Sequence, residues 1–314
     1  MRPARRTGRV RQPRHDQQPG AARPWWSPWG RVADRVTSAG VLAELARLGP
    51  FFALDCHPAR AVLTEGWRPL EQLWQPEVLA SRVATVRGAL AEASGQPAGT
   101  VELRVAASMA QLGLAARLIC PALGVAVLTG GLLEVDPVRM RWQPGAGSSP
   151  VALSSQDDGL ALPTRDERNP AALADAVAGT VLAGPVPALI EASREFGVSP
   201  QVGWGNVASV VNGAKALIGA AEPGLTAAAD TLVTGLLNRP PLLGTYQLTT
   251  HELTTHQLST PQLGTPQPTA APAFRRRSCC LVYRLATSPA PVCGDCVLDR
   301  APAPASRRSV RKLK

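Results

Sequence analysis

The stretch VELRVAASMAQLGLAARLIC, residues 101–120, decides how the chain is read. Val105, Met109, Leu112, Ala116 and Ile119 recur at three- and four-residue steps, which places them along one face of an α-helix. The spacing predicts a helix that stops at Pro121, where the ring removes an amide donor and clashes with the preceding turn. The wider apolar run, residues 105–135, is broken by Gln111, Arg117 and Pro121, so it reads as a core helix and not as a membrane span.

Working outward, residues 78–93, 171–182, 186–196 and 225–237 carry further helical patterns. Gly184-Pro185 separates the second from the third, and Pro223 opens the last. Ser199-Pro200 supplies a cap and first turn for a helix that contains Trp204, Gly205 and Asn206. One region has period two: Val138, Met140 and Trp142 alternate with Arg139 and Arg141, and Val151 and Leu153 repeat the pattern after a Pro-Gly-rich connection. The expected fold class is α+β and predominantly helical, a helical body holding a small antiparallel sheet, followed by a short C-terminal cysteine module.

With 314 residues and 45% hydrophobic content, the chain has enough apolar material for a real core, which excludes a wholly disordered protein. Six cysteines are too few at this length for a disulfide-built scaffold. The net charge of +10 is unevenly spread. Residues 1–31 hold eight Arg against one acid, residues 275–314 hold ten bases against two acids, and the remainder holds 15 bases and 20 acids. An acidic body with basic ends is poor support for nucleic-acid recognition, so no DNA partner is expected. No signal sequence is recognised, because Arg9, Arg11 and Arg14 occupy the place where an apolar segment would follow Arg5-Arg6. The expected setting is the reducing cytoplasm, with peripheral contact at the inner face of a membrane as a further expectation.

Residues 245–269 repeat every five residues as TYQLT, THELT, THQLS, TPQLG and TPQPT. Five matches neither the helical nor the strand period, so the segment reads as a linker. His251 and His256 are weak metal ligands there, since nothing pins their rings together. The expected organisation is a disordered basic extension over 1–30, a helical body over 31–243, a linker over 244–271, a metal-binding module over 272–299 and a disordered basic tail over 300–314.

The cysteines carry the chemistry. Cys279 and Cys280 are adjacent, twelve residues follow, and Cys293 and Cys296 form a Cys-x-x-Cys pair. A disulfide pair, a tetrahedral zinc site and an iron–sulfur cluster all remain open. Adjacent cysteines rarely bridge each other, and zinc pairs normally have a two- to four-residue spacer. A [2Fe–2S] cluster has two iron atoms, so its four thiolates need not converge on one point. Cys56 and Cys120 read as buried apolar packing.

The segment RRRSCCLVYRL…CGDC, residues 275–296, resembles the carboxy-terminal signature of the FhuF-like ferric-siderophore reductases. The resemblance is tight over 275–298 and loose over 31–243, where residues 106–117 and 204–209 are similar to helical segments of that family. It implies a cytoplasmic protein with a [2Fe–2S] cluster on Cys279, Cys280, Cys293 and Cys296. It implies one-electron reduction of a ferric siderophore, of hydroxamate type, with electrons from a ferredoxin or a reductase. The gap between the cysteine pairs is twelve residues where the family has ten, a loop change costing well under ~1 kcal/mol of closure entropy. Arg275, Arg276, Arg277 and Arg284 are expected to tune the cluster or attract an anionic substrate, and Trp204, Asn206 and Arg117 are candidates for substrate contact. The competing class is a zinc-stabilised four-cysteine binding module with basic arms and no enzymatic activity.

Overall fold

The computed structural model describes residues 38–59, 66–145, 151–157, 159–161, 169–249, 273–285 and 292–298. The two basic ends, the repeat beyond residue 249 with His251 and His256, and the loop at 287–291 lie outside the described residues.

Among the described residues seven α-helices carry the body: α1 (Ser38–Arg47), α2 (Pro76–Ser94), α3 (Leu103–Thr129), α4 (Pro170–Val177), α5 (Pro185–Ser193), α6 (Pro200–Ala221) and α7 (Thr226–Leu237). Helix α3 is the axis, with α1, α2, α5 and α6 packed around it and α7 bridging α6 to α4. It runs through Pro121 to Thr129, eight residues beyond the expected stop. A proline inside a helix costs about 3 kcal/mol. Here both flanks of Pro121 are buried, from Leu118 to Val127, and the packing lost by breaking the helix would exceed that cost. The expected apolar stripe is also only part of the buried surface. Val105 and Ile119 are buried, whereas Met109, Leu112 and Ala116 are half-buried and Ala106, Ala110, Leu114 and Leu118 lie deeper. A helix covered on nearly all sides has no single stripe to read. By length and composition α3 is apolar enough to cross a membrane, but 78% of its most apolar window is buried inside the fold.

Four strands form one sheet in the order β1-β5-β4-β2: β1 (Asp55–His57), β2 (Arg68–Pro69), β4 (Arg141–Gln143) and β5 (Ala152–Gln156). Trp142 faces Leu153 across the antiparallel β4–β5 ladder, but β1 joins β5 in parallel, so this sheet is mixed. Val138 sits in a turn and is 62% exposed; the expected alternation starts only at Met140. Two short antiparallel pairs complete the strands among the described residues: β3 (Leu132–Leu133) with β6 (Leu160–Ala161), and β7 (Tyr246–Thr249) with β8 (Ala273–Arg276). The first unit of the five-residue repeat is therefore a strand, because four residues of it find a partner in register, Tyr246 opposite Arg276 and Leu248 opposite Phe274. Tyr246 stacks on Phe274 with ring centroids 5.2 Å apart.

Candidate metal centre

Strand β8 delivers the chain to the site. Its side chains alternate, with Phe274 and Arg276 buried and Ala273 and Arg275 half-buried, so one face of the strand packs toward α6. Phe274 and Leu285, on either side of the first cysteine pair, belong to the same apolar core as the helices. Three polar contacts fasten the segment to the body. Arg276 Nη1 donates to Asn206 Oδ1 at 2.7 Å, Ser209 Oγ donates to Asp295 Oδ2 at 2.6 Å, and Arg284 Nε donates to Glu102 at 2.7 Å. At Gly205 the helix lets the segment come close: a Cβ there would fall 2.0 Å from Ser278 Oγ. The cysteine module is thus docked on α3 and α6, whatever the length of the repeat before it.

The structure brings Cys279, Cys280, Cys293 and Cys296 together, and none is disulfide-bonded. They fall into two crossed pairs, Cys279 with Cys296 and Cys280 with Cys293, each with sulfurs 3.6 Å apart. Two thiolates on one tetrahedral metal, with metal–sulfur bonds of about 2.3 Å, sit roughly 3.7 Å apart. The turn across the second pair closes through Cys296 N–H on Cys293 O at 3.0 Å. The left-handed residue at the site is Leu281, with φ of 72°, and Gly294 does not take that role. This turn aims the Leu281 amide back at Cys279 Sγ, 3.3 Å away, and the Leu298 amide does the same for Cys296 Sγ at 3.4 Å.

The electrostatic centre is Arg276, which is 1% exposed. Its Nη2 donates to Cys293 Sγ at 2.6 Å. Burial works against the guanidinium charge, yet the sulfurs of Cys280 and Cys293 outweigh it and raise its pKa above the ordinary value. The Cys280 thiol is pushed well below its ordinary range by hydrogen bonds from Cys279 and Cys293, with Arg276 adding to the effect against burial. Burying a cation without anionic partners costs several kcal/mol. Cys279 and Cys293 are raised instead, by their hydrogen bonds to Cys280 and by burial, so the protein by itself sets one anionic sulfur, Cys280, against the guanidinium. Two buried donors, Arg276 Nε and Ser278 Oγ, find no partner in the protein. Buried orphan donors beside four sulfurs fit a group that brings acceptor atoms of its own, as the sulfides of an iron–sulfur cluster do.

The other expected site residues are placed differently from one another. Asn206 is fully buried and touches Arg276, so it is beyond the reach of a substrate. Arg277 is exposed, and its amide bonds to Thr245 O at 2.8 Å. Arg284 is taken up by Glu102 and lies over the Tyr283 ring. Trp204 is half-buried against the core. Arg117 is a structural clamp, bonding the carbonyls of Val151, Pro50, Phe51 and Ala53 at 2.6–3.0 Å. Burial lowers its pKa to about 10. Cys120 is buried as expected, its thiol pushed up to about 12 by burial, but Cys56 is exposed on edge strand β1. The run Arg275-Arg276-Arg277 marks only the neighbourhood of the charge, and the structure selects Arg276 from it.

A docked segment presenting four cysteine sulfurs beside a buried cation fits an iron–sulfur protein. Residues 276–298 match the family model described as the FhuF 2Fe-2S C-terminal domain, and the cysteine tetrad inside that match supports an FhuF-like family for the chain. The cofactor is a [2Fe–2S] cluster. No curated protein matches the chain.

Proposed function

We propose that the protein is a ferric-siderophore reductase, with Cys279, Cys280, Cys293 and Cys296 as the cluster ligands. The observation that carries this reading is Arg276, a buried cation set against the sulfur pair Cys280 and Cys293. When bound, the cluster supplies one-electron transfer. Arg276 offsets the negative charge of the thiolates and favours the state with one more electron. The Leu281 and Leu298 amides add hydrogen bonds to the sulfurs of Cys279 and Cys296. Cys280 and Cys296 are buried, which shields the inner side from water, while Cys279 and Cys293 are partly exposed and leave the outer side open to a bulky complex.

The substrate is Fe³⁺ held by hard anionic oxygens, of hydroxamate type. Such ligands favour Fe³⁺ over Fe²⁺, so one added electron weakens the complex without breaking a bond in the ligand. The electron comes from a one-electron donor such as a ferredoxin or a reductase. No general base is required. The setting we assign is the cytoplasm, at or near the inner face of the membrane.

The test is anaerobic purification of the full chain. About two iron atoms per chain, a red-brown colour and an EPR signal after dithionite are expected. The reduced protein should then convert a ferric hydroxamate complex to Fe²⁺, captured by a ferrous chelator. Colourless protein with one zinc per chain would overturn the cluster reading. Cluster-loaded protein that leaves the ferric complex unreduced would overturn the activity alone.

A further inference from the structure

Asn206 sits on α6 with no exposed surface, yet its side chain is the only polar link between the helical core and the guanidinium of Arg276 among the contacts described. Its Nδ2 donates to Ser108 O at 3.2 Å, to Ser108 Oγ at 3.1 Å and to Gln111 Oε1 at 2.8 Å. Gln111 is itself oriented, its Nε2 lying 3.4 Å from Gly203 O. Three acceptors therefore surround the amide nitrogen, and this fixes the amide so that Oδ1 faces Arg276. A flipped amide would set N–H donors against the guanidinium, which has only donors. The result is a buried polar chain running from Ser108 and Gln111 on α3, through Asn206 on α6 and Arg276 on β8, to Cys293 Sγ.

We propose that Asn206 is a positioning residue that holds the Arg276 charge on the Cys280 and Cys293 sulfurs, and thereby raises the reduction potential of the cluster they bind. The proposal rests on the [2Fe–2S] assignment. Its physics is simple. Reduction adds one negative charge, and a fixed positive charge in a low-dielectric site stabilises that state more than a mobile, hydrated one does. Arg276 has a long flexible side chain, so the charge stays on the sulfur only if its far end is anchored. Asn206 provides that anchor at 2.7 Å, from a helix that the core already holds rigid. Exposed Arg277 carries the same charge next door in sequence, but water screens it.

The experiment measures the midpoint potential by EPR-monitored titration of the full chain, loaded with iron and kept anaerobic, alongside iron content and far-UV circular dichroism. Arg276→Gln should lower the reduced-to-oxidised ratio at fixed ambient potential by tenfold or more, which is 59 mV for one electron. Asn206→Asp keeps the anchor but cancels the charge, and Asn206→Ala frees the guanidinium. Both should shift the potential in the same direction. Arg276→Lys, which keeps a charge but loses the fork, should shift it less than Arg276→Gln. Arg277→Gln should change the ratio less than twofold. If Arg276→Gln loses iron, Asn206→Ala and Gln111→Met carry the test, since neither residue touches a sulfur. Full iron with an unmoved potential in the Asn206 variants would overturn the proposal. Loss of iron from all these variants with helicity intact would also overturn it, showing a chain needed for retention and not for tuning. Absence of iron from the unaltered protein would instead sink the cluster assignment, before any variant is compared.

Discussion

The crossed pairing of the sulfurs makes a prediction that can be tested without the metal. Four cysteines allow three disulfide connectivities. Besides the hydrogen bond between the adjacent Cys279 and Cys280, sulfur contacts join Cys279 to Cys296 and Cys280 to Cys293, both at 3.6 Å. Each pair must close by about 1.5 Å to reach the disulfide length of about 2.05 Å. The outer bridge would close an 18-residue loop, which is worth about 3 kcal/mol of denatured-state entropy. A Cys279–Cys280 bridge gains almost no loop entropy and demands a distorted backbone. Chelation under argon followed by oxidised glutathione should therefore give the crossed pair, each bridge passing two electrons and two protons to the oxidant. Tryptic cleavage after Arg277, Arg284 and Arg300 yields peptides 278–284 and 285–300, each holding two cysteines. The crossed pairing links these peptides covalently, whereas bridges within each pair leave them separate in mass spectrometry. In Cys280→Ser protein the remaining bridge should be Cys279–Cys296, leaving Cys293 to be alkylated. Unlinked peptides, or a Cys279–Cys293 bridge with Cys296 alkylated, would refute the geometric argument.

Two further predictions concern the body and its contact with the module. Arg117→Met should lower stability by about 2–4 kcal/mol in urea denaturation, because four carbonyl groups lose a charged donor at once; a loss below about 1 kcal/mol would show that water replaces the guanidinium without cost. Glu102 has a lowered pKa: burial alone would raise it, but hydrogen bonds and charge from Arg284 and Arg104 prevail. The folded state therefore binds its proton less readily than the unfolded chain, and the contribution is complete above the unfolded pKa and lost as pH falls through the folded one. The stability gap between the unaltered protein and Glu102→Gln should be constant from neutral down to mildly acid pH and close only as the pH falls below the ordinary Glu value of about 4.3, and a gap that widens on acidification would contradict the ion pair with Arg284.

The helical character of the body was legible because its apolar residues recur at helical spacing, and the Ser199 cap was legible from its neighbour Pro200; in the structure Ser199 Oγ accepts from the Val202 amide at 3.3 Å. Pro121 misled because local chemistry argues for a stop, while the cost of a proline is small against the burial of the turns around it. The strand at Tyr246–Thr249 was hidden for the opposite reason: its repeat has no strand period, and only its partner β8 gives it one. The four ligands were readable because cysteine spacing is a local property. Arg276 was not singled out, since Arg275, Arg276 and Arg277 look alike in a row. One signal was available. Phe274 in a strand must face the core, and alternation then puts Arg276 on the same side and Arg275 on the other. Asn206 had no comparable signal, because its partners lie 98, 95 and 70 positions away along the chain.

These observations make the two halves of the sulfur tetrad electrostatically unequal. Cys279 and Cys296 receive backbone amides, from Leu281 and Leu298, and among the contacts described no charged donor reaches them. Cys280 and Cys293 face a full positive charge that the protein has removed from water. A backbone amide offers a partial charge, and it would be present in almost any turn of this shape. The guanidinium requires much more: a strand register that turns Arg276 inward, a glycine on α6 that permits close approach, and an asparagine oriented by two residues of α3. Each of these costs stability if the site binds nothing anionic, since a buried cation and two orphan donors remain. The helical body is therefore more than a platform on which a cysteine module rests. It supplies the charge that makes one half of the site receptive to an electron, and it does so through Asn206.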